Sequence, residues 1–279
     1  MLAVDLGGTR IKAAQVTGGV VTDLVAITHG SSTLAGALDC LEPLLSVGPV
    51  GLCLPGLIAD DGQIVALPGK LDGAAGFDLK GWLHDRTGSA ALVVNDAIAY
   101  GVGEALPGRT VVMTIGTGIG VAVVENGRPL GRGVLGGGQL SGQLYLSEDG
   151  PPNSAGRAGT IEGWCRAERI VIEAQEAGAD VDDVPGVFEA AAKGDAAALA
   201  GLNAYRKRLA KAVGSLCLAH GPDAVVIGGG PVQPDGLLLW GLQELVEPYL
   251  WPGQRVQVQP ARHGDAAALV GLEVLSRGL

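Results

Sequence analysis

No stretch of this sequence approaches the ~20 consecutive apolar residues that a membrane-spanning helix needs, so a transmembrane protein is not expected. Met1 to Asp5 carry no basic residue, no secretory signal is read, and a cytoplasmic protein is the expectation. Cysteine is scarce. Cys40, Cys53, Cys165 and Cys217 stand far apart without paired spacing, which argues against a zinc knuckle or a disulfide framework and for buried thiols. Positive charge is short as well, with 19 Lys and Arg against 29 Asp and Glu and a net charge of −10. Nucleic-acid binding needs a dense basic patch. The most basic stretch, Arg206-Lys207-Arg208 with Lys211, has the spacing of a solvated helix face.

What is abundant is glycine, 47 of 279 residues, grouped at the ends of apolar runs rather than spread with a period. An apolar share of 47% is enough for a sizeable core in one large domain or two lobes. Residues 2–4 and 11–16 read as strands around Asp5-Leu6-Gly7-Gly8-Thr9. Glycines there permit either a plain hairpin or a loop whose backbone N–H groups approach a phosphate. A third strand, 20–26, completes a meander. Residues 32–47 and 77–87 show helical spacing, 50–54 and 91–94 read as buried strands, and 64–66 as a short one. Strand and helix then alternate, as in a sheet covered by helices.

At Asn95-Asp96 the strand 91–94 turns into a helix, 97–105. The carboxyl end of a buried strand is where open α/β folds place their chemistry. Asn and Asp are equally at home as helix N-caps, and both readings stand on the pair alone. Leu106-Pro107-Gly108-Arg109 marks a lobe boundary. Beyond it come a strand at 111–115, the turn Gly116-Thr117-Gly118, a strand at 119–124 and the hairpin dipeptide Asn126-Gly127. Gly7 falls on Gly116 and Gly18 on Gly127 at a constant offset of 109 residues, so the opening unit is repeated. Residues 135–159 form a long excursion of the kind that carries function or moves. Helices are then read at 159–176, 187–192, 195–219 and 237–245, strands at 224–227 and 256–259, and a closing helix at 265–275 capped by Gly264-Asp265. Gly228-Gly229-Gly230 follows a buried strand and leaves room for a flat or charged ligand.

Together, Asp5-Leu6-Gly7-Gly8-Thr9, Asn95-Asp96-Ala97, Gly116-Thr117-Gly118-Ile119-Gly120, Pro222-Asp223 with Val226 to Gly230, and Gly264-Asp265-Ala266-Ala267 resemble the ROK sugar kinases, in order and in spacing. The resemblance implies an α/β, two-lobed, actin-like (ribonuclease-H-like) ATPase fold with duplicated mixed sheets flanked by helices. Its lobes would be residues 1–106 on the sugar side and 107–263 on the nucleotide side, with 264–279 packing back on the first. It implies ATP and Mg²⁺ as cofactors. Gly7, Gly8, Thr9 and Arg10 would form the first phosphate loop, Gly116, Thr117 and Gly118 the second, and Gly228, Gly229 and Gly230 would lie beside the adenosine. Asp5 would hold Mg²⁺ through water, Asp96 would be the catalytic base, and Asn95 and Glu162 would bind sugar hydroxyls. A small-molecule sugar and a second copy of the chain are the implied partners. The family's DNA-binding repressors carry a further domain before the first strand; with four residues ahead of Asp5, the repressor class is not expected.

Three departures stand out. Aligned on Gly142 and Glu162, the Glu-x-Gly-His segment of family glucokinases becomes Leu140 to Gln143. The family's zinc cysteines become Asn153, Ala155 and Thr160; with neither thiolate nor imidazole, no structural zinc is expected. Pro68-Gly69 replaces Pro-Asn. Gln143, whose amide both donates and accepts, and Gly69 are the candidate sugar contacts there, with Lys70 and Gln139 weaker ones. His29, His84, His220 and His263 receive no role; Trp82 and Trp164 are read as packing, with Trp164, close in sequence to Glu162, left open as a sugar platform. A sugar-sensing relative without turnover is the second reading, favoured by the altered contacts.

Overall fold

The computed structural model describes residues 1–67, 69–131, 133, 136–232 and 236–277. Pro68, Leu135 and the last two residues of the expected closing segment lie outside them. The strands are β1 (Leu2–Leu6), β2 (Arg10–Thr17), β3 (Val20–Thr28), β4 (Val50–Leu54), β5 (Leu57–Ile58), β6 (Ile64–Ala66), β7 (Ala91–Asn95), β8 (Arg109–Ile115), β9 (Ile119–Glu125), β10 (Arg128–Pro129), β11 (Ala224–Gly228) and β12 (Gln257–Pro260). The helices are α1 (Leu34–Leu41), α2 (Leu79–Thr87), α3 (Asp96–Glu104), α4 (Ile161–Cys165), α5 (Glu168–Glu176), α6 (Val184–Ala192), α7 (Ala196–His220), α8 (Leu242–Val246) and α9 (Ala267–Ser276).

One sheet has the order β3-β2-β1-β4-β7 and the other β10-β9-β8-β11-β12. The orders match position for position, which is the duplication that the glycine offset signals. In each, an antiparallel meander adjoins parallel strands, giving two mixed α/β sheets. The chain divides into a unit of Met1–Ala105, Ala122–Gln139 and Asp265–Leu279 and a unit of Leu106–Val121 and Leu140–Gly264. Residues 122–139 thus group with the first unit rather than with the expected 107–263.

Four expected helices differ. The helix at 32–47 stops at Leu41, because Pro43 lacks the N–H that would continue it, and a 3₁₀ turn follows. Residues 237–245 give only α8, since Gly241 is left-handed at φ 63°. The cap of α9 is Ala266 with no side-chain bond, not Gly264-Asp265. The helix expected over 159–176 is broken into α4 and α5 at Arg166, which is extended at ψ 152°.

Within the first unit α9 lies directly on α3, and glycine makes the approach possible. A Cβ on Gly271 would stand 1.8 Å from the Ala99 carbonyl oxygen, and one on Gly103 2.0 Å from that of Ala267. Helix propensity alone predicts that Gly271→Ala stabilises by up to ~1 kcal/mol. The contact predicts the opposite, a loss of about 2 kcal/mol from forced separation of two backbones, readable by urea denaturation.

Candidate active site

The first unit presents two carboxylates at the carboxyl ends of β1 and β7, the strands flanking β4. Asp5 pairs with Cys53 of β4, which pairs in turn with Val94 of β7. Two strand spacings, roughly 10 Å, therefore separate the backbones that carry Asp5 and Asp96. Burial, reinforced by the charge of Asp96, pushes the Asp5 carboxyl up to about 6, against the pull of Lys12 and of the Cys53 thiol. The thiol lies 3.8 Å from Asp5 Oδ1, and its own pKa is driven up by burial and by both carboxylates. Cys53 is a neutral donor there. All four cysteines are free.

The two capping candidates divide the work at α3. Asn95 is the N-cap, with Oδ1 accepting from Ile98 N at 3.0 Å and Nδ2 donating to the Gly56 carbonyl at 2.7 Å. One N–H and one lone pair of its amide remain for a ligand. Asp96 opens the first turn, where the helix dipole favours an anion, and its Oδ1 accepts from Ala97 N at 2.8 Å. Burial raises its carboxyl, while the Ala97 N–H and the charge of Lys70 lower it. The Lys70 side chain passes over Gly8, 3.1 Å from where a Cβ would be. Gly69 is exposed with φ 73° and has open space beside it. Gln139 is occupied otherwise, its amide exchanging hydrogen bonds with both backbone groups of Ile58 at 3.3 Å.

The loop from Gly7 to Arg10 is closed by Gly7 N donating to the Arg10 carbonyl at 2.9 Å. Thr9 and Arg10 are exposed on it. His29, given no role above, braces it. Ser31 N–H donates to His29 Nδ1 at 3.1 Å, so the ring proton sits on Nε2 and donates to the Gly7 carbonyl at 3.0 Å. The His29 N–H meets the Thr9 carbonyl at 3.0 Å. A lone histidine at a strand end carries no sequence signal for this, although the pairing of Arg10 with Thr28 brings it there.

In the second unit Gly116 N donates to the Gly118 carbonyl at 3.0 Å, and Ala167 N, at the break between α4 and α5, donates to the Gly116 carbonyl at 2.8 Å. The helix break thus ties the glycine turn to the element carrying Glu162. That carboxylate is buried, 3.4 Å from where a Cβ on Gly118 would stand. Gly229, at φ 102°, admits no side chain, because its Cβ would lie 2.0 Å from the Ile115 carbonyl oxygen. Gly116, Thr117 and Gly230 line a largely apolar cavity of ≈ 670 Å³ with Ala167, Phe188 and Leu238. Gly228 is taken up by pairing with Thr114.

Glu162 Oε1 accepts from Ser154 N at 2.7 Å and Oε2 from Gln143 Nε2 at 3.2 Å. Asn153, at an aligned zinc-cysteine position, donates through Nδ2 to Gln143 Oε1. Thr160, at another, caps α4 by accepting from Gly163 N at 3.1 Å. Among the described residues there is no group of three His, Cys, Asp or Glu placed to hold a metal ion. Trp164 donates to Ser147 Oγ at 2.8 Å with Arg208 4.4 Å above its ring, and Trp82 packs under Arg86 at 4.1 Å.

The description "ROK family" matches this chain over residues 1–278. The chain belongs to the ROK family. An N-acetylmannosamine kinase of Escherichia coli O139:H28 (strain E24377A / ETEC) is 30% identical over 295 residues, 99% of this chain and 98% of that protein. An N-acetyl-D-glucosamine kinase of Erwinia tasmaniensis is 32% identical over 249 residues, 82% of this chain and 80% of that protein. Among solved structures, a ROK family glucokinase from Streptomyces griseus, in complex with glucose and AMPPNP, superposes with a TM-score of 0.85 at 23% identity, covering 100% of this chain and 99% of that one. The ROK fold, an actin-like ATPase fold, is thus this chain's fold.

Asp5 gives the site a measurable pH signature. Its carboxyl protonates below about 6 when folded and below about 3.9 when unfolded, so between these values the folded state binds the extra proton. Stability is fully present below the lower value and falls as pH rises through the upper one. Without nucleotide or metal, Asp5→Asn is expected to be more stable than the parent at pH 8 by about 3 kcal/mol, with no difference below pH 4, in denaturation series at the two pH values.

Proposed function

We propose that this ROK-family chain is an ATP-dependent sugar kinase, moving the γ-phosphate of ATP to a hydroxyl of a hexose or hexose derivative. The observation that carries the reading is Asp96, a carboxylate at the positive end of α3 whose proton affinity is raised by burial. It would accept the proton of the attacking hydroxyl, and a base contributes on the order of 10²–10⁴-fold to such a step. The hydroxyl oxygen bonds to the γ-phosphorus, the bond to the β-phosphate oxygen breaks, and ADP leaves. Asn95, Glu162 and Gln143 hold other sugar hydroxyls, and Gly69 leaves room beside Lys70.

Phosphoryl transfer asks the protein chiefly to position and neutralise charge. Gly7, Gly8, Thr9 and Arg10 on one loop and Gly116, Thr117 and Gly118 on the other would hold phosphates through backbone N–H groups and the Thr hydroxyls. The apolar cavity beside Gly230 suits a purine. Two like-charged carboxylates, one with its pKa raised by the other, form a setting that a divalent cation relieves, and hard cations take carboxylate oxygen. Asp5 would hold Mg²⁺ through its water shell, where the ion neutralises phosphate charge.

A cytoplasmic location fits the fact that no helix among the described residues is long and apolar enough to cross a membrane. A homodimer fits the exposed Trp240, Tyr249 and Trp251 and would be read by light scattering. The names of the sequence relatives put 2-acetamido hexoses first in a substrate panel.

Asp96→Asn is expected to lower kcat by about 10²-fold or more while the Kd for ATP stays within about twofold; near-parental turnover would refute the base. In a coupled ADP-release assay with N-acetylmannosamine, N-acetylglucosamine, glucose and mannose, at least one sugar should stimulate release. Sugar binding without release would instead support the sensing alternative.

A further inference from the structure

Asn153, Gln143 and Glu162 form a one-way hydrogen-bond series whose sense is fixed at one end by the backbone. Ala155 N and Arg157 N donate to Asn153 Oδ1 at 3.0 and 2.8 Å. A backbone N–H can only donate, so the carbonyl oxygen of this amide faces the loop and Nδ2 faces Gln143. Asn153 Nδ2 meets Gln143 Oε1, which turns the Gln143 amide so that Nε2 faces Glu162 Oε2. Ser154 N holds the other carboxylate oxygen. Asn153 is 5% exposed and Glu162 6%, so water does not substitute for either partner.

We infer that Asn153 is a positioning residue for the sugar site: through the sense of the Gln143 amide it decides whether Glu162 faces a donor or an acceptor. With the series intact, Gln143 keeps one N–H and Glu162 keeps lone pairs. That donor–acceptor pair suits a hydroxyl, which gives its hydrogen to Glu162 and accepts from Gln143. Reversed, the Gln143 carbonyl oxygen would face the Glu162 carboxylate, and the two would repel in a poorly solvated place. The inference rests on the sugar-kinase reading for what Glu162 binds, and on the hydrogen bonds alone for how it is held.

Two substitutions separate this role from loop scaffolding. Asn153→Asp keeps the shape and both acceptor bonds to Ala155 and Arg157, but at pH 8 it has no hydrogen to donate and draws the Gln143 N–H to itself. Asn153→Ala removes the loop bonds and reverses nothing. The series predicts that Asn153→Asp is the worse of the two, with the Kd for the best sugar of the panel raised about tenfold or more and the Kd for ATP within about twofold of the parent. A scaffold predicts that Asn153→Ala is the worse and that both ligands suffer together. Calorimetric titration of the full chain with sugar and with ATP reads each quantity without turnover. If sugar binds but is not phosphorylated, the kinase reading fails and the series is still tested. An Asn153→Asp variant with parental sugar affinity at pH 8, or a parent that binds none of the four sugars, would overturn the inference.

Discussion

Two carboxylates of like charge share the carboxyl edge of the first sheet, and keeping both there is the constraint that shapes the surrounding structure. Burial would by itself neutralise them. Lys12 and the Cys53 thiol oppose this at Asp5, and the Ala97 N–H and Lys70 at Asp96. Each counterweight comes from a different element, so the charge state of the pair reports on β2, β4, α3 and the segment after β6 together. Lys12 in turn is held by Asp265 at 3.1 Å, just ahead of α9. The close seat of α9 on α3, which glycine alone permits, therefore does more than bury apolar surface. It fixes the helix whose N-terminus carries Asp96 and brings the residue that holds the cation beside Asp5.

The parts of the fold visible in the sequence are those set by short-range pattern. Apolar runs bounded by glycine gave strands within a residue or two, and the glycine offset anticipated two sheets of the same strand order. What pattern could not show were the helix ends decided by single backbone groups. The spacing of residues 159–176 is helical throughout, and nothing in it marks Arg166 as extended. The break exists because the Ala167 N–H is used by Gly116, far earlier in the chain, and such a partner has no local signature. Pro43 and Gly241 are different, because proline and glycine limit these two helices through local backbone chemistry that the sequence displays.

The site divides along the same line. Motif glycines and the Asn95-Asp96 corner stand where strand ends put them, because their place follows from topology. The polar shell around Glu162 was legible only in part. In the sequence Gln143 stands out as an amide in place of an imidazole, whereas Asn153 marks only the loss of a cysteine. Its partner lies ten residues away across an irregular segment, and hydrogen-bond pairing there follows no period. His29 shows the same limit, since its role depends on which main-chain groups the β2–β3 register places against the ring.

The two glycine loops occupy equivalent places in the duplicated sheets, yet they are braced by different means, and this bears on how each can respond to a ligand. The first is held by a side chain, His29, whose bond to the Gly7 carbonyl requires the proton on Nε2. The second is held by main-chain groups only, Gly118 within the loop and Ala167 from the helix break. A main-chain brace cannot be removed by a side-chain change, whereas the imidazole brace is lost with the side chain that makes it. Duplication therefore preserved the loops' position while changing what holds them, a substitutable side chain at the first and main-chain groups at the second.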